Sequence, residues 1–167
     1  VLVLADVGYL AATCRPVPLS RLSYGLILLF FGLHEIGAHW TFAEVPYDNA
    51  WAALFGFSLN EAMGWERNHY DRLVHFCYGF LLARPMRETL LQAIGAAGFW
   101  SYALPVIFIT FTSEIYELIE WAAAIVFGGD LGQAYLGTQG DVWDAQRDTA
   151  LALLGAIIAT LIMAWNH

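Results

Sequence analysis

The chain has no lysine and little charge of either sign, and these absences exclude whole classes of protein. All seven basic residues among the 167 are arginine, and the net charge is −8. No basic stripe is present that could neutralise phosphates, so nucleic-acid binding is excluded. Charged residues make up 13% of the chain, whereas a soluble domain has about 25%. Because 59% of the residues are hydrophobic, the sequence indicates an integral membrane protein.

Cysteine is also scarce. Cys14 and Cys77 lie in different apolar segments, which excludes a disulfide framework and a CxxC metal clamp. The sequence also lacks an internal repeat, a polar linker and a cleavable signal segment, so we expect a single integral membrane domain over residues 1–167. The chain begins at Val1 in apolar sequence without Met, and we therefore expect its N-terminus to be truncated from a longer precursor.

Long hydrophobic runs are present instead. Since about 20 apolar residues span a bilayer, these runs predict an all-α, polytopic transmembrane helix bundle with about five spans. The predicted spans are residues 1–14, 20–40, 69–83, 100–127 and 141–166.

Breaks between the runs come from proline, arginine and polar residues. Ser20 is a candidate cap for the second span. We expect Arg84, Pro85 and Arg87 to close the third span, and residues 88–99 to form an interfacial helix or the entry to the next span. Residues 41–68 form a long loop, in which residues 51–59 are expected to be a short helix at the interface, where tryptophan and tyrosine are favoured.

Arginines set the expected orientation. With five spans, Arg15, Arg21, Arg84 and Arg87 fall on one side, which is then cytoplasmic. The opposite, non-cytoplasmic side receives the end of span two, the start of span three, the end of span four and the start of span five. An extra crossing within residues 84–99 would scatter these ends.

Acidic and histidine side chains gather at those four ends. The motifs are His34-Glu35-x-x-x-His39, His69-Tyr70-Asp71-x-x-x-His75, Glu114-x-x-Glu117-x-x-Glu120 and Asp141-x-x-Asp144-x-x-x-Asp148. Residues three or four apart share a helix face, so each helix presents a stripe of ligand atoms. Ionisable groups within membrane segments usually face the bundle interior and mark function.

These stripes predict a divalent metal site. Carboxylates and histidines on facing helices hold metal ions in helical bundles, and a mixed set suits zinc, iron or manganese. The predicted ligands are His39, His75, Glu117, Glu120, Asp144 and Asp148, and the predicted catalytic groups are Asp71 and Asp141. His34 and His39 point about 140° apart on a helix, so only one of them is expected in the site.

Each stripe also has a structural interpretation. His39 can hydrogen-bond at the interface, Asp71 can pair with Arg67 or Arg72, and Asp141 or Asp144 can cap a helix. Glu117 and Glu120 are harder to explain in this way because they lie within an apolar segment.

Several stretches resemble a known family. IGAHWTFAEVPYD (36–48), RNHYDRLVHF (67–76), YELIEW (116–121) and QGDVWDAQRD (139–148) resemble the YjdF-like family of multi-pass bacterial inner-membrane proteins, which has no assigned biochemical function. The resemblance implies a helical fold in the bacterial inner membrane. The Asp71-x-x-x-His75 pattern and the helices after it are also similar to VanZ-like proteins.

Three functions are compatible with these observations. The first is a metal-dependent enzyme acting on a lipid or envelope precursor at the non-cytoplasmic face. The second is a binding or transport module for a cation or proton, and the third is a non-catalytic accessory or structural subunit of a larger membrane complex. Membrane lipid is the expected partner in each case, with other membrane-protein subunits in the third.

Overall fold

The architecture is helical throughout the described part of the chain. A computed structural model describes residues 17–129 and 138–166, together with Gly8 and Gly132. These residues form six helices and no strand: Arg21–His39 (α1), Tyr47–Phe55 (α2), Leu59–Met63 (α3), Tyr70–Ile94 (α4), Trp100–Phe127 (α5) and Asp144–Trp165 (α6). The all-α prediction is confirmed. Except for Gly8, the first predicted span, residues 1–14, lies outside the described residues.

Three of the described helices, α1, α5 and α6, are long and apolar enough to cross a membrane. They coincide closely with the predicted spans over residues 20–40, 100–127 and 141–166. Ser20 caps α1 as predicted, since its Oγ accepts the Ser23 N–H over 3.2 Å. The membrane class is therefore confirmed, but the count of five spans is not.

The prediction for the end of the third span is wrong. Instead of closing at Arg84–Arg87, α4 continues through Pro85 to Ile94. A proline inside a helix removes one backbone hydrogen bond, and tertiary packing offsets that loss here because Pro85 is itself buried. Gly95, with φ 64°, ends the helix in the left-handed conformation that glycine adopts readily.

Contacts of the arginines support the continuous helix. Arg84 Nε lies 3.1 Å from Glu88 Oε1 one turn later, and the Arg87 guanidinium lies 4.4 Å from the centre of the Tyr102 ring on α5. Residues 84–94 therefore extend α4 rather than forming a separate interfacial helix or an extra crossing. A short link then reverses the chain into α5.

The central helix of the bundle is α4, which packs against α1, α5 and α6, while α5 also packs against α6. Since α4 and α6 begin at the same end, they run parallel, and α1 and α5 run antiparallel to them. At the far end, Ser20 donates from Oγ to Glu88 Oε1 over 2.8 Å, which fixes the start of α1 beside α4. Being enclosed by protein, α4 can carry charges that a lipid-facing helix could not.

Two glycines allow α4 and α6 to approach closely. A Cβ on Gly79 would overlap the carbonyl oxygen of Ala152, and a Cβ on Gly155 would overlap that of Phe76. Small residues at such an interface are the usual means by which membrane helices bring their backbones together. This contact lies one to two turns below the polar start of both helices and fixes their relative register.

The loop over residues 41–68 differs in detail from its prediction. Instead of one interfacial helix over residues 51–59, it holds α2 and α3, which are separated at Gly56 with φ 80°. Asp48 joins the two short helices, because its carboxylate accepts the Ser58 hydroxyl over 2.8 Å and the Asn60 N–H over 3.0 Å. These bonds fix the position of α2 relative to α3.

Candidate functional site

Three helices bring their ionisable side chains to one end of the bundle. The first two turns of α4 carry Asp71 and His75, and the first two turns of α6 carry Asp144 and Asp148. Because α5 runs in the opposite direction, the second half of that helix, with Glu117 and Glu120, lies at the same level. The acidic residues of this set, with Glu114 and Asp141, line one cavity of about 590 Å³. Its lining contains seven carboxylates, those of Asp71, Glu114, Glu117, Glu120, Asp141, Asp144 and Asp148.

Asp71, His75 and Asp148 form the tightest group in this cluster. Each offers one ligand atom, and these atoms all lie within 4.8 Å of one another. His75 Nε2 lies 3.7 Å from Asp71 Oδ1 and 3.2 Å from Glu117 Oε1. The other ring nitrogen, Nδ1, is 3.4 Å from the hydroxyl of Ser113 on α5, so His75 is held from both sides.

Two carboxylate oxygens in or beside this group have no hydrogen-bond partner among the described residues. Asp148 is 1% exposed, and its Oδ1 is buried without a partner. Glu117 Oε1 is likewise buried and unpartnered, because its 3.2 Å approach to His75 Nε2 does not have hydrogen-bond geometry. An unpaired polar group costs free energy in a buried position. These two oxygens therefore mark a place where a cation or a proton is needed.

Asp141 and Asp144 are compensated differently, by arginines. Arg67 Nη1 bonds Asp144 Oδ1 over 2.5 Å, and Arg72 Nη2 bonds Asp141 Oδ2. Arg147 Nη1 also bonds Asp141 Oδ2, over 2.5 Å. The arginines that could have paired with Asp71 thus bond the acids at the start of α6 and in the loop before it, which leaves Asp71 to face His75.

The environment of Asp141 holds its carboxylate in the charged form. Burial by itself would raise the pKa of Asp141. The Trp143 N–H, which donates to Oδ1 over 3.0 Å, and the three guanidinium groups outweigh burial, so the pKa lies below its usual value. A carboxylate that is stabilised in this way is a poor proton acceptor.

His69 lies just before α4, on the other side of the arginines. Its ring stacks on Trp65 with 4.3 Å between centroids. Burial lowers the pKa of His69, and the positive charges of Arg72 and Arg67 lower it further. These surroundings therefore favour the neutral imidazole.

A second cavity of about 190 Å³ lies on the α1 side of Asp71 and His75. Its walls include Phe30, Phe42 and Tyr78, so it is mainly apolar. Asp71 lines both this cavity and the acidic one. The Asp71–His75 pair thus stands between a polar space and an apolar space.

Of the two histidines in HEIGAH, His34 lies nearer to the cluster. It lines the apolar cavity together with His75. His39, which the sequence favoured as a ligand, is exposed and packs its ring against Trp40, with 5.2 Å between centroids. The helical spacing had indicated that only one of the two would face the site, but not which one.

The predicted site residues thus fall into three places. Asp71, His75 and Asp148 meet in one group, with Glu117 beside His75 and Glu120 in the wall of the acidic cavity. Asp141 and Asp144 lie in the arginine network, and His39 is on the surface. Ser113 had not been singled out from the sequence, and a hydroxyl within an apolar helix one turn before Glu117 was the only signal for it.

Loop residues hold the entrance to the site in place. Asn68 N–H donates to Gln139 Oε1 over 2.8 Å, and Gln139 Nε2 donates back to the Asn68 carbonyl over 3.1 Å. Asn68 Nδ2 also donates to the Val45 carbonyl over 2.8 Å. These bonds join the two ends of the 41–68 loop to each other and to the segment before α6.

The three apolar helices and the acidic cavity define a helical membrane protein with a polar cavity at one end of the bundle. The whole chain, residues 1–167, matches the family described as "Predicted membrane protein (DUF2238)". It is also 39% identical over 166 residues to "Inner membrane protein YjdF" of Escherichia coli (strain K12), covering 99% of this chain and 75% of that relative. The chain belongs to this family of membrane proteins, which confirms the resemblance seen in its motifs. No solved structure matches it, and the similarity to VanZ-like proteins stays a prediction.

Proposed function

We propose that this chain is a metal-binding protein of the bacterial inner membrane, the location that the relative's name gives for that protein. One divalent transition-metal ion is held by Asp71, His75 and Asp148. The observation that carries the proposal is the meeting of these three ligand atoms within 4.8 Å, with a buried Asp148 oxygen that has no other partner. The assignment of the cluster to the non-cytoplasmic end follows the orientation predicted from Arg15, Arg21, Arg84 and Arg87, with the arginines at the cluster end bonded to acids.

Distances within the group suit a metal ion. Two ligands bonded to one ion at about 2.0–2.2 Å lie about 3–3.5 Å apart. His75 Nε2 is 3.7 Å from Asp71 Oδ1 and 3.2 Å from Glu117 Oε1. Small side-chain rotations would bring both oxygens and Nε2 onto a common ion, so Glu117 is the proposed fourth ligand.

The surroundings of His75 also favour metal ligation. A ligating histidine usually donates its other N–H to an oxygen, which fixes the ring orientation. Ser113 Oγ stands 3.4 Å from Nδ1 in that role. One imidazole with several carboxylates suits manganese, iron or zinc, and the positive ion would relieve the repulsion among the seven carboxylates of the cavity.

The finer proposal is that the metal activates water to act on a lipid or envelope precursor. It is supported by the position of Asp71 between the acidic cavity and the apolar one, an arrangement that suits a molecule with a polar and an apolar part. Asp71 is better placed than Asp141 to act as a base, because the arginine network keeps Asp141 charged and engaged.

Cobalt binding tests the metal site directly. Titration of the detergent-purified chain with Co²⁺ should produce visible absorption that saturates at one equivalent. Asp148→Asn should weaken the affinity by about 100-fold. The matched control is Asp48→Asn, which alters a carboxylate bonded only within the α2–α3 loop and should bind normally. Absence of saturable binding by the folded wild-type chain would contradict the proposal.

The alternative is a cation- or proton-translocating module, or a non-catalytic accessory subunit. The observation that favours the accessory role is the arginine network, which ties the loop before α6 to α4 without any need for chemistry. In that case the acids would be protonated or ion-paired, and alanine at Glu117 would leave the function of the larger complex intact.

A further inference from the structure

A third cavity, of about 600 Å³, opens beside the arginines on the face of α4 and α6 away from the acidic cluster. We call it the arginine-rimmed pocket. Its floor consists of apolar side chains from the two helices, Leu73 and Phe76 on α4 with Ala150 and Leu151 on α6. The volume lies within the range of about 300–1,000 Å³ that is typical of small-molecule sites.

The charged side chains of this pocket are all positive. Arg72 and Arg147 line it together with the imidazole of His69, and no acidic side chain does so among the described residues. Asp141 and Asp144, which bond these arginines, line the acidic cavity instead. The guanidinium groups therefore form a partition, with carboxylates on one side and the pocket on the other.

Some of the arginine N–H groups remain available for a ligand. Three guanidinium groups, those of Arg67, Arg72 and Arg147, bond two carboxylates, those of Asp141 and Asp144. Arg72 Nε is buried and has no hydrogen-bond partner in the part of the chain that the structure describes. The Arg147 side chain is 53% exposed, so it can reach a ligand at the mouth of the pocket.

Apolar walls and a cationic rim are complementary to one class of ligand. Trp65 also lines the pocket, and tryptophan is favoured at the depth of lipid headgroups. We infer that the arginine-rimmed pocket binds an anionic phospholipid of the surrounding bilayer. Its phosphate lies against Arg72 and Arg147, and an acyl chain runs along Leu73 and Phe76. This inference does not depend on the proposed metal.

Lipid binding can be measured by native mass spectrometry of the delipidated, detergent-purified chain. The probes are phosphatidylglycerol and phosphatidylcholine with identical acyl chains, which differ in headgroup charge. The wild-type chain should bind one phosphatidylglycerol about fivefold more tightly than phosphatidylcholine. Equal binding of the two lipids would overturn the inference.

Variants then locate the site. Arg147→Gln should abolish the preference for phosphatidylglycerol, whereas Arg84→Gln, which removes an arginine in the second half of α4 outside the pocket lining, should retain it. Ala150→Trp should fill the pocket and weaken binding of both lipids. An equal loss of preference in Arg147→Gln and Arg84→Gln would show only a general effect of charge and would contradict the site. Arg147→Gln should bind Co²⁺ with the wild-type affinity, so the lipid inference and the metal proposal are tested independently.

Discussion

His75 Nε2 and Glu117 Oε1 lie 3.2 Å apart across the α4–α5 interface, yet Glu117 Oε1 forms no hydrogen bond within residues 17–129 and 138–166. The two atoms are as far apart as two ligands of one metal ion. Asp71 and Asp148 complete the surroundings of His75 from α4 and α6. The relationship between His75 and Glu117 is thus the geometric basis of the proposed site.

His75 on α4 and His39 on α1 allow a matched comparison of metal affinity. His75→Ala should weaken metal affinity by about 100-fold, because it removes the only nitrogen of the Asp71–His75–Asp148 group. His39→Ala should have no effect, since His39 is exposed on α1. Isothermal titration with Mn²⁺ or Zn²⁺ provides the affinities. Weaker binding in both variants would favour the ligand set predicted from the sequence, which contains both histidines.

The close contact of α4 and α6 predicts a packing effect. Gly79→Ala should lower the free energy of unfolding by about 1–3 kcal/mol, because its Cβ would overlap the Ala152 carbonyl and force the helices apart. Gly25→Ala is the control, since no atom lies within 4 Å of a Cβ at that position. Thermal unfolding in one detergent gives the comparison. Equal stability of the two variants would show that the contact is not limiting.

The arginine network should contribute more to the free energy of unfolding than an exposed ion pair does. Arg67→Gln should lower the free energy of unfolding by about 3 kcal/mol, because it leaves the buried Asp144 carboxylate without its shortest partner. Adding Asp144→Asn should recover part of this loss. For comparison, Arg84→Gln removes a surface pair with Glu88 and should cost about 0.5 kcal/mol. Chemical denaturation measures the series, and additive losses in the double variant would exclude coupling.

The pKa of His69 should respond to the positive charge of the same network. Because its folded pKa is below the usual value of about 6.5, its contribution to stability is present above that value and is lost as the pH falls toward the folded pKa. Arg72→Gln removes the charge 3.4 Å from His69 Nδ1 and should raise the pKa. Histidine NMR across a pH series measures it, with Arg21→Gln as the control. An unchanged pKa in Arg72→Gln would show that Arg72 does not act on His69.

Much of the fold was readable from hydrophobic runs, but the end of α4 was not. Apolar length and Ser20 located α1, α5 and α6 to within a few residues. Arg84 and Pro85 looked like the end of a span because proline usually breaks a helix. Contacts with Tyr102 and Glu88, which lie outside any local pattern, support the helix there.

The candidate site could be predicted in part from residue spacing. Spacing of three and four residues placed Asp144 and Asp148 on one face of α6, but both then looked like equivalent ligands. Arg67, which is 77 residues away from Asp144 along the chain, engages one of them and leaves the other for His75. A choice of partner over that distance depends on how the helices pack and leaves no periodic signal in the sequence.

Metal content is the most direct test of the central claim. The full chain is purified from membranes without added metal, and elemental analysis is compared with that of a variant carrying alanine at Asp71, His75 and Asp148. The proposed site predicts one manganese, iron or zinc ion per wild-type chain and none in the folded variant. A folded wild-type chain without stoichiometric metal, or a variant that retains it, would contradict the account.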